Sequence, residues 1–305
     1  MRLWARPAPR ALRHLHERWL GRPDLVHGTN YVAPPTTVPT VISVYDCWFL
    51  EHPDDAVPDV RRAADVLRRA VGEGAHVIAS SRATATQVRQ LLDTDRVTVI
   101  HLGPPPPLEV LDGTKPVAGL RDTPFVLALG SVEKRKNYPV LVRAFGRVAT
   151  EHPSAWLVIA GAAADDQPAV TRAVEDLDHS ARRRVMMLGT VDEATKTWLV
   201  SNARTLAYPS LDEGFGFPVL EAQAAGTPVV ASTAGSIPEI AGSAALVSPP
   251  NDVDALAANL YWVLNNEEMR EKLSRRGREN VKRFSWERTA SELTDLYRRL
   301  LESPT

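Results

Sequence analysis

From about residue 24 onward, short apolar runs alternate with amphipathic stretches along this chain of 305 residues. The apolar runs predict strands at Leu25–Val26, Thr40–Val44, His76–Ala79, Val97–His101, Phe125–Leu129, Trp156–Ile159, Val185–Leu188, Thr205–Ala207, Pro228–Val230 and Ala245–Val247. Helical spacing between them predicts helices over Val60–Val71, Arg82–Leu92, Tyr138–Ala149, Ala169–Asp178, Ala194–Ser201 and Val253–Leu264. Asn137 and Asn251 stand where N-caps of two of these helices are expected. Alternation of this kind predicts parallel sheets with crossover helices, an α/β architecture.

One stretch breaks the alternation. Residues 103–122 read GPPPPLEVLDGTKPVAGLRD, and consecutive prolines cannot continue a helix and serve as a semi-rigid spacer. The expected organisation is a first domain over 1–112, a linker over 113–122, a second domain over 123–283 and a closing amphipathic helix within 284–305. Trp48 and Phe49, in the first domain, read as core residues before they read as sugar platforms.

Bulk properties narrow the function classes. With 44% hydrophobic and 24% charged residues the chain is an ordinary globular protein. A formal net charge of −1 argues against a nucleic-acid partner or a polybasic membrane surface. The one cysteine, Cys47, cannot form an internal disulfide. No apolar run approaches a membrane span, and the arginine-rich start lacks an apolar signal core. The expected location is cytoplasmic, with peripheral contact at the inner face of a membrane left open and the oligomeric state unspecified.

Candidate chemistry concentrates in residues 208–231, YPSLDEGFGFPVLEAQAAGTPVVA. Glu213 and Glu221 stand on either side of a turn containing Gly214, Phe215 and Gly216. Pro218 and Gly226 bracket a predicted helix from Phe217 to Ala225. The unpaired N–H groups of such a helix start favour phosphate. In isolation the two glutamates read equally well as surface acids. A second cluster, Ser131-Val132-Glu133-Lys134-Arg135-Lys136-Asn137, follows the strand that ends at Gly130 and offers three cations at the carboxyl end of a parallel strand. By itself it reads as a solvated basic turn. No His, Cys or Asp cluster has metal-ligand spacing, so no metal and no cofactor are expected.

YPS-L-x-EGFGFPVLEA-x-A-x-GTPVVAS and LGS-x-E-x-RKN-x-x-x-L-x-x-AF together resemble the donor-binding segments of retaining glycosyltransferases of family four. The resemblance extends over about residues 24–300 and is strongest at 125–242. It implies the GT-B fold, with two Rossmann-like domains, a cleft between them and a last helix crossing back to the first. It implies that Lys136 and Arg135 hold a diphosphate, that Glu221 accepts from the donor ribose hydroxyls, and that Glu213 stands near the transferred sugar. Backbone around Gly214, Phe215, Gly216 and Phe217, with Gly130 and Ser131, completes the implied donor site, and Thr190 and Val191 touch the base. Many family members carry arginine where this chain has Ser131, and Arg135 is expected to replace it. Ser232–Ile240 is expected to border the same cleft, with Glu239 either a helix-start acid or a ligand contact.

In the first domain VYDCWF aligns with a segment that commonly reads V-H-D, so Tyr45 replaces a histidine while Asp46 retains the acid. His27 and Asn30, in HGTN, join Tyr45 as acceptor-side candidates. The same resemblance implies that one or two βα units are missing from the start, leaving the amino-terminal domain incomplete. The expected function is transfer of a hexose from a nucleotide-diphosphate sugar, GDP- or UDP-linked, to a saccharide, lipid-linked or small-molecule acceptor. The variants seen here most resemble mannosyltransferase-like members. A catalytically impaired nucleotide-sugar-binding protein or partner subunit is the alternative, favoured by the short first domain, Tyr45 and Ser131.

Overall fold

A computed structural model describes residues 4–104, 106 and 117–302. The expected proline spacer at 105 and 107, and residues 113–116 of the expected linker, lie outside them. The chain divides into two compact units, Met1–Gly103 with Phe284–Thr305, and Pro104–Arg283.

The first unit runs α1 (Arg10–Trp19), β1 (Val26–Gly28), β2 (Thr40–Val44), α2 (Trp48–Glu51), α3 (Pro58–Gly72), β3 (His76–Ala79), α4 (Arg82–Leu92) and β4 (Val97–Val99). Its strands form one parallel sheet in the order β1-β2-β3-β4. Ile42, Val44, Val77 and Ala79 pack with Leu67 and Val88 into its main core. The C-terminal helix, Trp286–Glu302, belongs to this unit and seats Leu296 against Val41, Ile78 and Ile100.

The second unit runs β5 (Phe125–Leu129), α5 (Tyr138–Glu151), β6 (Trp156–Ala160), α6 (Gln167–Glu175), α7 (His179–Arg182), β7 (Val185–Gly189), α8 (Glu193–Asn202), β8 (Thr205–Tyr208), α9 (Phe217–Ala225), β9 (Val229–Ser232), α10 (Ile237–Ala241), β10 (Ala245–Ser248), α11 (Val253–Asn265) and α12 (Glu267–Val281). All six strands are parallel, in the order β10-β9-β8-β5-β6-β7. β5 is buried at every position because helices cover both faces. Val126 and Ala128 enter one core with Leu141, Phe145 and Leu260, while Phe125, Leu127 and Leu129 enter the other with Leu206, Tyr208 and Val219. Burying a side chain such as Phe145, fully inaccessible here, stabilises by about 1.5–3 kcal/mol. Leu120, inside the expected linker, is buried in the second of these cores.

Three local expectations are corrected. Asn137 precedes α5 but is left-handed, with φ 57°, and caps nothing; its amide donates instead to the carbonyls of Pro209 and Pro250. Asp252, and not Asn251, caps α11, accepting from the Ala255 amide. The helix expected over Ala169–Asp178 ends at Glu175, and Asp178, accepting from the Ala181 amide, caps a separate short helix, α7. No described helix is long and apolar enough to cross a membrane.

Candidate active site

Sheet order determines where the site forms. The chain leaves β5 toward β6 and β7 on one side, then returns to place β8 on the other. The loops after β5 and β8 therefore lie side by side at a topological switch point, where open parallel sheets bind ligands. The two loops are stitched together, since the Leu211 amide donates to Arg135 O at 2.7 Å and Asn137 Nδ2 to Pro209 O at 3.2 Å. After β5 the chain passes very close to the end of β6. A Cβ on Gly161 would lie 1.9 Å from Gly130 O, so only glycine allows this approach.

Within this junction Lys136, Arg135 and Glu213 converge. Lys136 lies in a 3-10 turn, Lys134–Lys136, and is almost fully buried. Its Nζ donates to Glu213 Oε1 at 2.5 Å and Tyr208 Oη at 2.9 Å. Arg135 Nη1 donates to Glu213 Oε2 at 2.9 Å, and its Nε to Glu133. Ser210 Oγ completes the set, 2.8 Å from Glu213 Oε1. Burial pushes the Glu213 carboxyl upward, but Lys136 and Arg135 outweigh it and hold the group below its ordinary value. Burial depresses the Lys136 ammonium, and Glu213 opposes that depression. Glu213 thus holds both sequence-identified cations at once.

The loop carrying Glu213 is fixed from the neighbouring strand. The Ser236 amide donates to Glu213 O, Ser236 Oγ to Phe215 O and Ser232 Oγ to Ser210 O. This gives the Ser232–Ile240 segment its place beside the site, and Glu239 falls in the first turn of α10. Gly214, Phe215 and Gly216 are buried, with Phe215 edge-on to Phe217 at 5.1 Å. Gly216 has φ 98°, which turns the chain into α9 in a conformation that other residues resist.

Glu221, one turn inside α9, is buried. Its Oε1 accepts from Lys196 Nζ at 2.9 Å, and Lys196 also reaches Glu193 at 3.2 Å. Burial would lower the Lys196 ammonium, yet the bonds to Glu221 leave it raised. Thr190 is exposed and Val191 half-buried, and both lead into α8, the helix that carries Lys196. Sequence reasoning missed Lys196, Tyr208 and Ser210 as site residues. The last two lie within the quoted YPS text, but nothing in the spacing singles out Lys196.

In the first unit, Asp46 follows β2 and accepts from Tyr31 Oη and the Trp48 amide, both at 3.3 Å. Tyr45 Oη donates to Thr29 O at 2.7 Å. Tyr31, unnoticed in the sequence, stands edge-on to both Tyr45 and Phe49, and burial beside Asp46 drives its hydroxyl pKa well up. Asn30 is exposed. The ring nitrogens of His27 meet Tyr297 Oη at 2.6 Å and Ser43 Oγ at 2.9 Å, within the packing of the C-terminal helix. Trp48 is half-buried and stacks on His52 at 3.7 Å, while Phe49 packs against the core. Among the described residues no group of three or more His, Cys, Asp or Glu could hold a metal ion.

Residues 115–280 match the family described as glycosyl transferases group 1, and residues 1–105 match glycosyltransferase family 4. O-antigen chain mannosyltransferase B of Escherichia coli is 29% identical over 286 residues, covering 90% of this chain and 74% of that protein. Phosphatidyl-myo-inositol mannosyltransferase of Mycolicibacterium smegmatis is 32% identical over 176 residues, covering 56% of this chain and 44% of that one. Among solved structures, Anabaena Alr3699/HepE in complex with UDP and glucose superposes with a TM-score of 0.72 at 19% identity, covering 95% of this chain and 82% of that one. Sucrose-phosphate synthase from Thermosynechococcus elongatus gives a TM-score of 0.71 at 24% identity, covering 94% and 76%. These likenesses show the α/β fold of GT-B glycosyltransferases.

Proposed function

The chain belongs to the glycosyl transferases group 1 family, and from that footing we propose that it moves a hexose, with retention, from a nucleotide-diphosphate sugar to a saccharide, lipid-linked or small-molecule acceptor. The observation that carries this reading is the junction of Lys136 and Arg135 with Glu213, close to a helix start and in the same unit as the Glu221–Lys196 pair. Mannose is the hexose favoured, since two of the relatives carry mannosyltransferase in their names.

In this mechanism the donor diphosphate takes over the donors on Lys136 and Arg135 that Glu213 engages at rest. The bond between the anomeric carbon and the diphosphate oxygen breaks with its electron pair going to the diphosphate. The two cations and the backbone N–H groups around Gly214–Phe217 stabilise that charge where it develops. The acceptor oxygen bonds to the anomeric carbon on the same face, and its proton passes to the departing phosphate oxygen. Glu213, released from both cations, faces the positive charge growing on the sugar ring. Glu221, held by Lys196 through Oε1, accepts from the ribose hydroxyls. Cations and backbone supply the leaving-group stabilisation that a metal gives elsewhere.

The test is to incubate the protein with GDP-mannose or UDP-glucose and acceptor sugars, following nucleoside diphosphate release and the product's anomeric configuration by NMR. Release with retained configuration is expected. Donor binding without release favours the binding-protein alternative, and an inverted product refutes the front-face mechanism.

A further inference from the structure

The first unit carries a cavity at the end of its sheet opposite the acceptor-side candidates. Tyr45 and Asp46 follow the carboxyl end of β2. The cavity lies where strands begin: Thr40 opens β2, His76 opens β3 and Arg96 immediately precedes β4. Arg13 of α1 and Arg69 of α3 line it, and Leu300 of the C-terminal helix adds apolar surface. Its volume is about 600 Å³, within the roughly 300–1,000 Å³ of small-molecule pockets.

Charge in this cavity is one-sided. Three guanidiniums, Arg13, Arg69 and Arg96, line it with a single carboxylate, Glu73. Glu73 bridges Arg13 at 2.7 Å and Arg69 at 2.8 Å and offsets one positive charge, leaving two. A guanidinium has five N–H donors. Among the described residues Arg13 and Arg69 each direct three bonds to Glu73 and backbone carbonyls. Arg96, the exposed one of the three, makes one, to Gly74 O at 2.9 Å. His76 registers the resulting field. Its Nε2 meets Thr98 Oγ1 at 2.8 Å, and burial, then Arg299 and Arg96, hold its imidazole below the ordinary value.

We propose that this cavity binds a small, soluble phosphate monoester. Its dianion matches the two uncompensated charges, and Arg96 engages the phosphate oxygens in pairs while Arg13 and Arg69 add charge behind it. The organic part lies against Thr40, Val38 and Leu300. The site belongs to the first unit and uses none of the donor-site residues, so the inference does not rest on the transfer reaction.

The test titrates the whole chain with glucose 6-phosphate, and separately with glucose and with inorganic phosphate, by calorimetry and by proton NMR of the histidine rings. His76→Asn assigns the His76 signal. Saturable binding of glucose 6-phosphate is expected, with none of glucose, and with affinity about tenfold weaker or more in Arg96→Glu once circular dichroism confirms its fold. A bound phosphate offsets the field of Arg96 and Arg299, so the His76 midpoint is expected to move upward on saturation. Absence of saturable binding overturns the proposal. So does affinity unchanged in Arg96→Glu, binding that leaves His76 unmoved, or inorganic phosphate binding as tightly as the ester. The His76 reading is made on the wild type and decides the case by itself should Arg96→Glu misfold.

Discussion

Lys136 Nζ lies 2.5 Å from Glu213 Oε1 inside the second unit, while Arg135 engages the other oxygen of the same carboxylate. Each partner neutralises the burial cost of the others. Removing the carboxylate therefore does more than delete one contact. Glu213→Ala strands the buried Lys136, leaves Arg135 with Glu133 alone, and is expected to destabilise the fold by about 3–5 kcal/mol in urea denaturation, as for a broken buried pair. Glu213→Gln, which keeps an acceptor for Lys136 and Ser210, is expected to cost clearly less. Equal stability of wild type and Glu213→Ala would contradict the arrangement.

Glu17 gives a pH prediction. Burial raises its carboxyl, but bonds from Thr37 and His14 overcome that and lower it from 4.5 to about 2. A carboxyl depressed by folding stabilises the protein above its unfolded pKa and loses that stabilisation as pH falls through the folded one. Stability is therefore expected to fall between about pH 4.5 and about pH 2, and the Glu17→Gln variant should lose less over the same window. Parallel curves for the two proteins would contradict the Glu17 anchor. Glu213, also depressed, carries the same sign.

Lys196 is expected to position Glu221. Lys196→Met removes a charge-assisted hydrogen bond worth about 1.5–3 kcal/mol, so donor affinity should weaken by about tenfold or more. The effect should appear in the donor KM with kcat little changed, because Lys196 acts through the ribose contact. Unaltered donor KM would remove it from the site.

Gly161 is expected to tolerate no side chain. In Gly161→Ala the new carbon meets the Gly130 carbonyl, which is backbone and cannot swing aside. Overpacking of this kind costs about 1–3 kcal/mol, and it also displaces the loop carrying Lys136. Gly72→Ala in α3, where nothing lies within 4 Å, is the control and should not lower the melting temperature. Equal melting temperatures for the two variants would contradict the close approach.

Much of this was legible in the sequence for physical reasons. Fully buried strands such as β5 announce themselves as unbroken apolar runs, and Pro218 and Gly226 mark both ends of α9. Short or strongly polar helices were not read: α1, α2, α10 and the charged α12 escaped the apolar periodicity. Glu213, Lys136 and Glu221 were found through motif text. Their partners were not, because Lys196 reaches Glu221 only through the packing of α8 beside α9. His27 is held by Tyr297 from the far end of the chain, a contact no local pattern reveals. Asn137 likewise looked like a cap until its left-handed backbone aimed the amide at two proline carbonyls.

The central claim is that the second unit grips an activated sugar by its diphosphate at Lys136 and its ribose at Glu221. Calorimetric titration of the wild type, Lys136→Ala and Glu221→Ala with GDP-mannose and with UDP-glucose tests it directly. Saturable binding of one donor by the wild type, abolished or greatly weakened in both variants while their folds persist, is the expected result. Wild-type affinity retained in both variants would contradict it.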